Sequence, residues 1–178
     1  MGLMPGTSRH PAKRVCCTLL ASSCLALAPP VNLTIRDLTP KFLTFYDSAT
    51  KEHADGAKRW ELWRELYGFA AVPPGPDGET MARKMLDTAW PRYASALSVI
   101  RKGAGGIQPP PQKILQSVAD LLDASVPVKA TLVVFVGDFS SNAFTAPGAD
   151  RPSVAIPVEG VGAALSMTHE FTHVVEAE

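Results

Sequence analysis

The chain has 178 residues, 17 of them basic and 17 acidic, so its formal net charge is zero. That balance excludes a dedicated nucleic-acid binder, which carries a basic face or tail, and 46% hydrophobic against 19% charged residues excludes a disordered chain. The three cysteines, Cys16, Cys17 and Cys24, form no C-x-x-C pair and no Cys/His ribbon spacing, which excludes a structural zinc domain.

Arg9, Lys13 and Arg14 lead into Val15–Ala28, VCCTLLASSCLALA, which carries no charge. A basic lead and a short apolar run make the secretory-signal pattern, and the run is too short to cross a bilayer comfortably. Residues 1–28 are therefore expected to be a signal peptide and 29–178 the mature domain. Two processing sites compete. Ala26-Leu27-Ala28 has the small-x-small form but is followed by Pro29, whereas Leu20-Ala21-Ser22-Ser23-Cys24 resembles a bacterial lipobox and makes Cys24 a candidate lipidation site. Removing residues 1–28 takes away three of the 17 basic residues and no acidic one, which leaves 14 against 17 in a mildly acidic body. The protein is expected to be periplasmic, extracellular or lipid-anchored, touching a membrane only through its signal or lipid.

Residues 37–124 read as helical. Thr39-Pro40 offers an N-cap and a first-turn proline, and Phe42, Phe45, Tyr46 and Ala49 follow at spacings of three and four. A second helix, about Lys58 to Tyr67, places Trp60, Trp63 and Tyr67 on one side, where they are expected in the core. After the loop Val72–Gly78, a third helix starts near Glu79 and carries Leu86, Trp90, Tyr93, Leu97 and Ile100; Pro91 should kink or split it. GAGGIQPPP (103–111) is a joint, not a phosphate loop, since no GK[ST] follows. A fourth helix runs to about Asp123, with Ile114, Leu115, Val118, Leu121 and Leu122 facing inward.

From 129 to 178 the pattern changes. Thr131–Val136 is a β-branched apolar run, the signature of a buried strand. Ser153–Ile156 is a second short strand flanked by Pro152 and Pro157, and proline cannot donate to a ladder, so an edge position is expected. A last helix begins near Ala163. Helices followed by a small sheet and another helix read as an α+β fold.

That last helix contains His169-Glu170-Phe171-Thr172-His173, an H-E-x-x-H pattern. With four His and eight Glu in the chain, chance would produce it roughly 0.004 times, so the motif is a signal. Residues four apart share one helical face, so His169 and His173 can both reach one metal ion. Zn2+ there would lower the pKa of a bound water to about 7, with Glu170 as general base; imidazole also suits other first-row ions. An exposed edge strand can hold an extended peptide by main-chain hydrogen bonds, and Ser153, Val154, Ala155 and Ile156 are the expected substrate-binding segment. The partner implied is a peptide or protein substrate.

The segment from about Thr131 to Glu178, with its strands and its MTHEFTHVVE helix, resembles the upper subdomain of the zincin metallopeptidases, and looks closest to gluzincin-like bacterial zinc-dependent proteases. The aromatic stretch FLTFYDSATKEHADGAKRWELWRELYG is similar to their helical N-terminal half. The resemblance implies zinc-dependent peptide hydrolysis, with His169 and His173 as ligands and Glu170 as the base. A gluzincin takes its third ligand from a glutamate on a later helix. Position 176 is Glu176, where a metzincin needs glycine, and three ligands from one helix would strain tetrahedral geometry, so Glu176 is expected beside the site. The helix has no stop signal, and the chain is expected to be the N-terminal part of a longer enzyme, without the lower subdomain and inactive by itself. The rival reading is a non-catalytic exported envelope protein or pseudoenzyme that keeps the fold.

Overall fold

The computed structural model describes residues 1–2 and 30–177, apart from 123, 125, 149 and 161. The expected export signal and Cys24 lie outside the described residues. The described residues form a mixed α/β fold of five α-helices and a small four-stranded sheet.

The first element is a strand, β1 (Asn32–Asp37), followed by four helices, α1 (Thr39–Lys51), α2 (Gly56–Leu66), α3 (Pro76–Ile100) and α4 (Pro111–Leu121). Strands β2 (Lys129–Phe135), β3 (Phe144–Ala146) and β4 (Ser153–Pro157) then lead into α5 (Ala163–Glu176). The strand order is β1-β2-β4-β3. β1 and β4 flank β2 in parallel, and β3 closes the sheet antiparallel to β4. The helical half is therefore one long crossover between β1 and β2 rather than a block that precedes the sheet. β1 is hard to see in the sequence because only Leu33 and Ile35 break its polar run, and Ile35 stays exposed.

The edge expected at Ser153–Ile156 is corrected. Ser153, Val154, Ala155 and Ile156 pair with Thr131–Val134 on one side, and β3 pairs with Ser153–Ala155 on the other. Pro152 lies just outside the strand and Pro157 is its last residue. Each proline removes only its own N–H, and the residues between them keep both ladders. β4 is interior, and its substrate-binding role, which rested on an open edge, goes with that position. The edge is β3.

Side-chain alternation on β2 sends Ala130, Leu132 and Val134 into the core, each fully buried, while Thr131 and Val133 are only partly covered. Against that core stands an aromatic cluster. Phe42 meets Tyr93 edge-on at 4.8 Å and Tyr67 at 5.4 Å, and Trp60 stacks on Trp63 at 5.0 Å. Trp60, Trp63 and Tyr67 are buried, as their helical spacing implies.

Three local expectations change. Thr39 is the first residue of α1 rather than its cap, and the Asp37 carboxylate accepts the Thr39 N–H instead. α3 runs unbroken through Pro91, because the proline and Asp87, whose carbonyl loses its partner, both face solvent. Leu121 and Leu122 do not face inward: Leu121 ends α4 83% exposed and Leu122 is also exposed. Among the described residues no helix is long and apolar enough to cross a membrane.

Candidate metal centre

α5 follows β4 after a short loop and packs against β3, β4 and α4. Gly162 stands at its N-cap with φ +87°, a left-handed conformation suited to glycine. The buried stripe of the helix is Met167, Phe171, Val174 and Val175, with Glu170 at its margin. The spacing of that stripe turns His169 and His173 outward, where both are exposed.

The two imidazoles converge. Their Nε2 atoms stand 3.3 Å apart and their rings meet edge to face, with centroids 4.7 Å apart. Two nitrogens bound to one tetrahedral zinc at about 2.0–2.1 Å would themselves be about 3.3–3.4 Å apart. An N–H···N hydrogen bond between neutral rings satisfies the same separation. The separation is compatible with both nitrogens on one ion and equally with a hydrogen bond between the rings.

Glu176 lies on the other side of the second ring. Its Oε2 is 3.9 Å from His173 Nδ1, with both side chains more than half exposed. It faces the nitrogen turned away from His169, where a carboxylate can fix ring orientation. Among the described residues no group of three or more His, Cys, Asp or Glu is arranged to hold a metal ion.

Glu170 is 8% exposed. Its Oε2 accepts a hydrogen bond from Thr145 Oγ1 at 2.8 Å, and Thr145 Oγ1 also lies 3.3 Å from the Glu170 carbonyl oxygen. Thr145 is the middle residue of β3 and pairs with Val154. The edge strand and the motif helix therefore touch at the carboxylate. Of the residues singled out from sequence, His169 and His173 come together on the exposed face of α5, while Glu170 is buried on the side that meets β3. Ser153–Ile156 sits one strand further in, behind β3. Thr145 is not evident from sequence because a three-residue strand inside a Gly/Pro-containing stretch leaves almost no periodic signal; the alternation Phe-Thr-Ala before Pro147-Gly148 is its one trace.

A second buried carboxylate occupies the opposite end of the sheet. Glu159 Oε1 accepts the Phe139 N–H at 3.1 Å, whereas Oε2 has no partner. Burial, with the nearby Asp138 charge as a smaller contribution, raises its pKa above the ordinary 4.5. Compared with known protein families, curated proteins and solved structures, the chain matches none of them.

Proposed function

We propose that this chain carries the catalytic corner of a zinc-dependent metallopeptidase of the zincin kind, acting on a peptide or protein substrate outside the cytoplasm. The observation that carries this reading is the 3.3 Å approach of the two Nε2 atoms on the exposed face of α5. A divalent ion held by His169 and His173 would supply Lewis-acid activation of water and polarisation of a carbonyl. The remaining work falls to the chain itself.

Glu170 is the general base. Thr145 occupies its Oε2, which leaves Oε1 to take the proton from the attacking water and return it to the departing amine nitrogen. The base sits in a largely water-excluded position, where a carboxylate interacts more strongly with neighbouring charge than it would in bulk water.

Substrate docking moves from Ser153–Ile156 to the edge strand. Among the described residues β3 is paired on one side only, and the open side of a strand can hold an extended peptide through main-chain hydrogen bonds. Because Thr145 reaches Glu170, a peptide laid along Phe144–Ala146 would pass close to the base.

Metal uptake tests the reading. Dialysis against Zn2+ followed by metal analysis should give one ion per chain for the wild type. His169→Ala and His173→Ala should each lose affinity by about 100-fold or more, beyond the usual cost of losing an outer-shell partner. Equal zinc content in all three proteins would end the metallopeptidase reading.

A further inference from the structure

We infer that Thr145 is a positioning residue: from the edge strand it fixes the carboxylate of Glu170, so the strand that would receive the peptide also aims the base. The chemistry of this inference rests on the hydrolytic reading of the α5 corner; the geometry stands by itself.

Side chains alternate along a strand. In the three-residue β3, Thr145 faces α5 while its neighbours Phe144 and Ala146 take the other face. Its hydroxyl has one proton to donate. Of its two oxygen neighbours the carboxylate Oε2 is nearer, at 2.8 Å against 3.3 Å for the Glu170 carbonyl, and a hydrogen bond to a charged acceptor is the stronger one. The donation fixes more than distance. A glutamate side chain has three rotatable bonds and points anywhere in its rotamer set unless something holds it. With Oε2 engaged, the carboxylate plane is set and Oε1 remains the free basic oxygen.

The consequence is a link between docking and catalysis. β3 is short, is paired only to β4, and all three of its residues are partly exposed. Such a strand gains order when a partner strand is added to its open side. An extended peptide on that side would steady Thr145, and through it the base. A misplacement of about 1 Å at a reacting group can cost about 100-fold in rate, so a single hydroxyl in this position has leverage on turnover.

The test uses the purified chain and three variants, Thr145→Val, Thr145→Ser and Thr145→Ala. Three-bond couplings to the Glu170 side-chain carbons, measured by NMR, report its rotamer without metal or substrate. The wild type and Thr145→Ser should show one rotamer, and Thr145→Val an average over several. Thr145→Val should bind Zn2+ as the wild type does, and serine should restore the single rotamer. Should valine prevent folding, Thr145→Ala gives the same couplings with a smaller side chain. Glu170 held in one rotamer without the hydroxyl, or a loss of stability with unchanged couplings, overturns the inference. If the wild type takes up no more Zn2+ than His169→Ala, the hydrolytic reading fails instead, and the couplings still decide whether Thr145 holds Glu170.

Discussion

Two glutamates in this molecule are about equally buried but lie in different surroundings. Glu170 is 8% exposed and Glu159 9%. Around Glu170 lie a threonine hydroxyl on one side and two outward imidazoles along the same helix. Glu159 lies in the loop after β4, where it accepts the Phe139 N–H and has one oxygen without a partner. Its surroundings are closed. Tyr67 exchanges two hydrogen bonds with the Val136 backbone, at 2.9 and 2.8 Å, and Tyr93 donates to the Gly137 carbonyl at 2.7 Å. Burial pushes both tyrosine hydroxyls well above their ordinary pKa, so they remain neutral donors.

The contrast teaches that burial of a carboxylate is by itself no mark of catalysis. What separates the two is the chemistry on the open side. Glu170 stands on a helix whose exposed face carries two paired imidazoles, and Glu159 faces backbone that it ties in place. Phe139 and Ser141 adopt positive φ, 68° and 56°, in the loop that Glu159 anchors. A conformation that unfavourable persists only where surrounding contacts over-determine it. Arg92 lies 4.0 Å over the Phe139 ring and supplies one of those contacts.

The contrast can be broken from either side. The largest effect is expected at Glu170. Glu170→Gln keeps the shape and removes the base, so in a form of the protein that hydrolyses casein the rate should fall by about 100-fold to 10,000-fold while Zn2+ uptake stays unchanged. A Gln variant as active as the wild type would remove the catalytic half of the comparison. Tyr67→Phe strikes the other side. It leaves both the N–H and the C=O of buried Val136 without their partner, which should cost about 2–4 kcal/mol in denaturant unfolding, with Zn2+ binding in the surviving folded protein unaltered. A loss of metal affinity there would show that the two ends are coupled.

The smallest effect is expected at Glu159. Its pKa is raised in the folded protein, so the folded state holds the proton more tightly than the unfolded chain does. Its favourable contribution is complete below the ordinary pKa and is lost as pH rises through and above it. Glu159→Gln should remove that loss. Relative to the wild type, the variant should gain stability as pH rises through and above the ordinary carboxylate range. Parallel stability–pH profiles for the two proteins would show that Glu159 is not desolvated as the structure has it.

Much of the corner is legible in the amino-acid sequence. The spacing of His169 and His173 puts both rings on one helical face, and Met167, Phe171, Val174 and Val175 assign the opposite face to the core. The aromatic spacing of α1 to α3 places Phe42, Trp60, Trp63 and Tyr93 in the interior, where they are. Those are local, periodic properties, and a helix repeats its contacts every three or four residues.

Strand pairing is not local. β1 and β2 pair Asn32 with Lys129 across the entire helical half, and no pattern within either strand names its partner. The prolines around Ser153–Ile156 suggest an edge, yet a proline reports only on its own N–H and says nothing about the residues between. The edge strand on that side of the sheet, Phe144–Ala146, is three residues long. The sequence by itself therefore determined that His169 and His173 share a helical face and which faces would be buried, because both follow from helical geometry. Only the tertiary structure decided which strand lies open, and that Thr145 holds Glu170, because both depend on bringing together segments about 25 residues apart or more.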